Sequence, residues 1–271
     1  MRCCVAARQF DASPRQRGCV LIDYVVIDIH CHLLPEVDDG PKSWDAAIEM
    51  CRMAAADGIT HSVATPHAND RYAYDRQYLS EVLRQLQEKI APAISLQLTL
   101  GCDFHLSFEN LELALEHPHS YTIGQTNYLL IELSNYSVPA QLSQCFTRLG
   151  DRGLTPILTH PERNPILQQT PQRIAEWAEQ GVLIQLTASA LTGLWGERPE
   201  IVARWLLDRS AAHILASDAH DTKRRIPNLS AARAIAEKIV GAEYAEALVE
   251  GNPGAIVRGV PIPYCPRPVL D

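Results

Sequence analysis

The stretch IDIHCHLLPEVDDG, Ile27 to Gly40, sets a short apolar run directly against two histidines and a cluster of acidic side chains. Either the polar part is an ordinary loop, or a buried strand is delivering ligands to a metal site at its end. The rest of the chain decides between them. Further β-branched runs follow at ITHSVAT (59–65), LQLTLGCDF (96–104), NYLLIEL (127–133), TPILTH (155–160), VLIQLTA (182–188) and AHILASD (212–218), after the first at VVIDI (25–29). Helix-like segments at 43–58, 75–91, 139–153, 171–181 and 197–210 separate them, the first with Ser43 as N-cap and Gly58 as its stop. Strand and helix in regular alternation is the pattern of βα units around a parallel sheet. Seven such strands suggest a barrel rather than an open doubly wound sheet. No GxGxxG follows the first strand and no GxxxxGK[ST] occurs, so a nucleotide-cradling sheet has no support.

The composition agrees with one barrel-sized domain. The chain has 271 residues, 46% hydrophobic and 21% charged, enough for one large core and too apolar for disorder. Residues 25–271 read as that domain, and residues 1–24, rich in Arg and Cys, as an extension outside the fold. A net charge of −8 offers no electrostatic footprint for nucleic acid. No apolar run is long enough to insert in a membrane, and the first residues lack a continuous hydrophobic core of a signal peptide, so the expected compartment is the cytoplasm. The eight cysteines are scattered without zinc-finger spacing and read as reduced, mostly buried thiols; Cys31 reads as a wall-facing strand residue rather than a nucleophile.

Barrel enzymes place their chemistry where strands leave for their helices. Here the first strand ends at Asp28, His30 and His32, with Asp38 and Asp39 beyond; the second at His67; the third at Asp103 and His105; the fourth at Glu132; the fifth at His160, Glu162 and Arg163; and the seventh at Asp218 and His220. Six of seven strand ends thus carry a His or a carboxylate, which a random scatter of polar residues does not produce. Alternate strand residues point the same way, so His30 can converge with His32, and Asp218 with His220. Imidazole with carboxylate suits zinc, manganese or iron, and there are ligands enough for more than one ion. Other residues have plainer readings. His61 and His213 begin their strands and read as core or surface histidines, and His117 and His119 flank Pro118 in a solvated loop. His105 ranks below Asp103 as a ligand, Asp38 reads as shaping the turn before Gly40, Asp28 as orienting a histidine from behind, and Arg224 as a solvated charge. The loop PHANDRYAYDRQY, 66–78, is long and polar enough to reach over a site.

The segments DIHCHLLPEVDDGPKS, ATPH, LLIELS, THPERN and ASDAH with a following RRIPN resemble, in order and over nearly the whole chain after Tyr24, the PHP (polymerase and histidinol phosphatase) superfamily. Within it they are most similar to the CpsB-like protein-tyrosine phosphatases of bacterial capsule and exopolysaccharide operons. The resemblance implies an α/β fold, a distorted seven-stranded (β/α) TIM-like barrel, with three divalent metal ions per chain. Manganese is favoured, with iron or zinc as alternatives. Carried over by position, His30, His32, Asp103 and Asp218 would hold the first ion, Asp103, Glu132 and His160 the second, and Asp39, His67 and His220 the third. Arg163 and Arg225 match the phosphate-contacting arginines, and His67 or His220 could assist proton transfer. Asp103 departs from the pattern, standing where the family usually has a bridging Glu, one methylene longer. The implied substrate is a tyrosine-phosphorylated protein, a bacterial tyrosine autokinase that controls capsule or exopolysaccharide synthesis. No covalent intermediate is implied, and the cysteine-phosphatase loop CxxxxxR does not occur. The rivals are a PHP phosphoesterase acting on histidinol phosphate or another small ester, a non-catalytic phosphotyrosine-binding barrel, and, more distantly, an amidohydrolase. The last often needs a strand-end lysine, and Lys42, Lys89, Lys223 and Lys238 all fall outside the strand-like runs.

Overall fold

The computed structural model describes residues 25–270; the extension read at 1–24 lies outside the described residues. Among the described residues nine strands form: β1 (Val26–Cys31), β2 (Ile59–Ala64), β3 (His67–Ala68), β4 (Gln97–Leu100), β5 (Asp103–His105), β6 (Tyr128–Glu132), β7 (Thr155–Thr159), β8 (Leu183–Thr187) and β9 (Ile214–Ala216). Ten helices accompany them: α1 (Trp44–Ala56), α2 (Arg76–Ile90), α3 (Phe108–Glu116), α4 (Leu142–Asp151), α5 (Gln172–Glu179), α6 (Ala188–Leu191), α7 (Glu197–Asp208), α8 (Ser230–Val240), α9 (Ala242–Glu246) and α10 (Asn252–Arg258). Every strand pairing is parallel, in two sheets of order β1-β2-β4 and β3-β5-β6-β7-β8-β9.

The sequence suggests single strands at 59–65 and 96–104, whereas each is broken in two. Pro66 has no N–H to give a ladder and restrains Thr65 before it to an extended conformation. At Gly101 a Cβ would lie 2.9 Å from Val63 Cγ1, a contact only glycine avoids. The two breaks are neighbours, and the backbone bridges them: Gly101 N–H donates to Ala64 O at 2.8 Å and Asp103 N–H to Pro66 O at 3.2 Å. On the far side, Asp218 N–H donates to His30 O and His32 N–H to Ala219 O, both at 2.8 Å, which brings the end of β9 beside β1.

The helices at 43–58, 75–91, 139–153, 171–181 and 197–210 are present as α1, α2, α4, α5 and α7. Ser43 Oγ accepts the Ala46 N–H, Gly58 takes φ +92° just past the end, and Ala47, Met50, Cys51 and Ala54 bury one face at i, i+3, i+4, i+7 spacing. Among the described residues no helix is long and apolar enough to cross a membrane.

Alternation along the strands sorts the core. Leu129, Ile131, Leu158, Ile184, Leu186 and Leu215 belong to a large apolar layer shared with the helices, and Cys31 lies in it, as expected. Ile27, Ile29, Val63, Tyr128, Leu130, Ile157, Leu183, Ile214 and Ala216 form a smaller inner cluster that Ile123 and Ile256 of α10 complete at the strands' N-terminal end. Continuing the inner parity toward the C-terminal ends passes from these apolar residues to Glu132, Gln185 and Asp218. One face of the sheet is therefore oil at the bottom and polar at the top.

Candidate metal centre

The register of β1 against β2 slips between Asp28 and Cys31. Ile27 and Ile29 lie in the inner cluster but Cys31 in the outer one, so the slip turns His30 and His32 toward the polar mouth. Pairing sets His67 level with Asp103 and His105 level with Glu132. The result is three overlapping groups whose ligand atoms lie within 4.8 Å of one another: His30, His32 and Asp103; His67, Asp103 and Glu132; and His32, Asp39, His67 and His220. Asp103 Oδ2 stands 3.5 Å from His30 Nε2 and 3.3 Å from His67 Nδ1. Asp218 Oδ1 is 3.4 Å from His30 Nε2, 3.6 Å from His32 Nε2 and 3.6 Å from His220 Nδ1. Asp39 Oδ1 is 3.3 Å from both His67 Nε2 and His220 Nε2.

The donor set fits divalent cations by a test independent of spacing. Among the described residues, His30 Nε2, His32 Nε2, His67 Nδ1 and both Asp103 carboxylate oxygens are buried without a hydrogen-bond partner. Buried polar atoms are normally satisfied, and five orphans facing one another are a cost that a bound cation removes. The opposite ring nitrogens are held from behind. His32 Nδ1–H donates to Asp38 Oδ2 at 2.7 Å, and His30 Nδ1 meets Gln185 Oε1 at 2.8 Å, which aims each Nε2 inward.

The charges are strongly interdependent. Burial alone would lower His30, but the Asp103 and Asp218 carboxylates push it up to about 9; for His67 burial is likewise overridden by Asp103 and Asp39, to about 11. Burial and the neighbouring His220 push His32 down to about 4. Burial would raise Asp103, yet His30 and His67 hold it well below the usual carboxylate range, while Glu132 is raised by burial and by Asp103. His160 is held well below the usual imidazole range by burial and by Arg163, which leaves it neutral and able to bind a cation.

Two site residues carry unusual backbone: His160 at φ +35° and Asp218 at φ +50°. Left-handed conformations at non-glycine residues cost free energy and concentrate at working sites. Arg163 and Arg225 both donate to Asp218 Oδ2. Asp221 holds the loop that presents Arg225, accepting the Lys223 and Arg224 N–H groups at 2.7 Å and the Arg225 N–H at 3.3 Å. The loop 66–78 does reach over the cluster: Tyr72 stacks on His67 with centroids 6.0 Å apart and planes at 12°.

All eleven singled-out residues thus meet at one mouth, though grouped differently in places. His67 lies in two groups, one of them with Asp103 and Glu132; His160 is in none of the three, and its Nε2 is 3.9 Å from Glu132 Oε1. Asp28 orients no imidazole: its oxygens accept the Ser217 hydroxyl and the Ser217 and His30 backbone N–H groups. Asp38 does so instead, while also shaping the turn by accepting the Gly40 N–H at 2.9 Å. His105 Nδ1 is 3.5 Å from Glu132 Oε2, which raises its pKa, but it belongs to none of the three groups. His61 and His213 are satisfied elsewhere, by Thr99 and by the Ile184 N–H, and His117, His119 and Arg224 are exposed. Gln185 escaped the sequence reading; its only signal is an amide at an inward position of an otherwise apolar strand. Trp195 escaped it too, and its indole lies 3.8 Å from the Arg163 guanidinium carbon and 5.3 Å from that of Arg225. It lines, with Glu132, Asn135, His160, Arg163 and Pro199, a cavity of ≈ 520 Å³ opening beside the groups.

Known proteins resemble the chain over this whole region. The sequence profile of the family described as capsular polysaccharide synthesis, CpsB/CapC, matches residues 26–258. The putative tyrosine-protein phosphatase CapC of Staphylococcus aureus is 34% identical over 202 residues, 74% of this chain and 79% of its own. Tyrosine-protein phosphatase YwqE of Bacillus subtilis is 33% identical over 227 residues, 83% of this chain and 89% of its own. A crystal structure from work on YwqE of Bacillus subtilis and CpsB of Streptococcus pneumoniae, described as unique metal-dependent tyrosine phosphatases, superposes with a TM-score of 0.82 at 32% identity, covering 90% of this chain and 99% of the other.

Proposed function

The chain belongs to the CpsB/CapC family of capsular polysaccharide synthesis, and from that premise we propose how it works as a metal-dependent protein-tyrosine phosphatase. The observation that carries the reading is the set of orphaned imidazole and carboxylate atoms at the strand ends, with two guanidinium groups beside it. We read the two parallel sheets as the staves of a distorted seven-stranded barrel of the PHP type. β2 with β3 and β4 with β5 then count as one broken stave each.

We assign His30, His32, Asp103 and Asp218 to one ion, Asp103, Glu132 and His160 to a second, and Asp39, His67 and His220 to a third. Asp103 belongs to two of the three observed groups, which supports its bridging role despite its short side chain. Manganese is the favoured ion on the resemblance, and a set that mixes imidazole with several carboxylates and has no thiolate admits it alongside iron or zinc. Such ions, when bound, supply a water nucleophile at neutral pH and neutralise oxygen charge in an in-line displacement.

The chain's own residues do the rest. Arg163 and Arg225 are planar, permanently charged donors suited to the non-bridging oxygens of a phosphoryl group, whose charge they stabilise as the ester bond breaks. The leaving phenolate has a conjugate acid of pKa about 10, so it demands little from a general acid. His67 or His220, each with its Nε2 3.3 Å from Asp39 Oδ1, would hand it a proton only while not committed to the third ion. Cys31 takes no part: it is fully buried, and burial raises its thiol well above the usual range, which leaves no thiolate to attack. We further propose a cytoplasmic protein whose phosphoprotein substrate is a bacterial tyrosine autokinase. The buried, unpaired thiols of Cys31, Cys51 and Cys102 support a reducing compartment.

Parallel assays of one manganese-loaded preparation on a tyrosine-phosphorylated peptide and on histidinol phosphate test the reading. Turnover is expected on the peptide and little on histidinol phosphate. The reverse preference would move the chain to the small-ester branch of the superfamily.

A further inference from the structure

We propose that Trp195 is a positioning residue: its indole holds the Arg163 and Arg225 guanidinium groups together in the orientation that receives phosphate. The inference rests on the phosphatase reading and deepens it. Two like charges here converge on one carboxylate oxygen, Asp218 Oδ2. Side by side they repel each other, and a single carboxylate that is also committed to the cation site is a weak anchor for both. The π cloud of an indole adds a second attraction for both. Arg163 lies 3.8 Å from the ring centroid and Arg225 5.3 Å, both within the roughly 6 Å over which cation–π attraction is effective.

The indole is itself fixed. Its Nε1–H donates to Ser189 Oγ at 2.9 Å, and Ser189 belongs to α6 directly after β8. The connection from α6 to α7 that carries Trp195 turns through Gly193 at φ +81° and Gly196 at φ +89°, a path that side chains with a Cβ rarely follow. A rigid aromatic plate is thereby held at the wall of the cavity that opens beside Glu132 and His160. Without it, the arginines keep their charge but lose their common orientation. Binding of a tetrahedral anion should then weaken while the ions, held by other side chains, stay in place.

The test uses the full, metal-loaded chain with inorganic phosphate as the probe, titrated calorimetrically, alongside KM and kcat on a tyrosine-phosphorylated peptide. Trp195→Ala and Trp195→Leu should weaken phosphate roughly three- to thirty-fold, raise KM for the peptide, and leave metal content unchanged. Trp195→Phe, which keeps a π face, should recover most of the loss. Leucine fills the space without a π cloud, so a purely space-filling role predicts wild-type behaviour for Trp195→Leu. In an Arg163→Ala/Arg225→Ala background, Trp195→Ala should change phosphate affinity less than twofold. Wild-type affinity in Trp195→Leu, or an undiminished effect in the arginine-free background, overturns the proposal while wild-type turnover leaves the phosphatase reading standing. A wild-type chain that turns over no phosphotyrosine overturns both.

Discussion

His213 and His32 are both buried imidazoles, at 1% exposure each, and burial pushes both down to about 4. Neither burial nor acidity tells them apart. What differs is where the ring nitrogens go. His213 Nδ1 accepts the Ile184 N–H at 3.0 Å and so repairs the edge of β8 at the bottom of the sheet. His32 spends one nitrogen on Asp38 and keeps the other, without a partner, facing Asp218 and a second histidine. The same contrast separates His61, bonded to Thr99, from His30 and His67. A histidine at the start of a strand is building material. At the end of a strand, with a satisfied back and an orphaned front, it is a proposed ligand.

The largest effect should come from removing the anion shared by two groups. Asp103→Ala should lose at least one ion per chain by elemental analysis, and phosphotyrosine turnover should fall at least a hundredfold, beyond what outer partners alone cost. Asp103→Glu should keep metal and part of the turnover. A fully metallated, active Asp103→Ala protein would erase the distinction between the two kinds of buried polar residue at that position.

The arginines sharpen the contrast from the substrate side. Arg163→Ala and Arg225→Ala should each retain metal yet lose turnover on the order of a hundredfold, as removal of one electrostatic donor does in comparable sites. Unchanged turnover in both would remove them from phosphate binding. Next in size is the support behind the rings. Gln185→Leu should weaken metal affinity about ten- to a hundredfold while leaving the fold intact, measured by competition with a chelator. Equal affinity would mean that His30 needs no partner to aim it.

His213 should behave in the opposite way. His213→Leu should leave metal content unchanged and act only on stability. Its folded pKa of about 4 lies below the ordinary 6.5, so between those values the unfolded chain binds the extra proton, and stability falls as pH drops through that window. The contribution is at most roughly 3 kcal/mol, and in chelated protein the variant should show a flatter stability profile from pH 6.5 to 4. An identical slope in both proteins would show that His213 takes up its proton equally in the folded and the unfolded chain. The smallest effect belongs to Cys31→Ser, which should retain substantial turnover; loss of activity with normal metal content would reopen a thiol mechanism.

Much of this contrast was legible in the sequence, because position along a strand is written in the alternation itself. TPILTH and ASDAH end in polar residues, and His61 and His213 precede apolar runs, so the end of the strand at which each stands could be read directly. The breaks at Pro66 and Gly101 were less visible: proline and glycine signal a weak ladder, but which sheet the chain joins afterward depends on neighbours far away in sequence. Gln185 was missed, and Asp38 was read for its turn but not for its hold on His32, for a related reason. Their role is a hydrogen bond to a ring 155 residues away in one case and across a tight turn in the other. Trp195 lies in a connection without periodicity, where only the folded chain shows two arginines beside one indole. Helices α3, α6, α8, α9 and α10 were not anticipated, and α10 matters because Ile256 helps seal the apolar end that makes the polar end distinct.

If the orphaned atoms at the strand ends hold the cations on which phosphotyrosine hydrolysis depends, turnover must follow metal content. The most direct measurement is elemental analysis of the full chain paired with turnover of a tyrosine-phosphorylated peptide, before chelation, after exhaustive chelation and after manganese is restored. The expected result is divalent metal in the active preparation, no turnover once it is removed, and recovery on its return. Full turnover in protein shown to be free of metal would contradict the account.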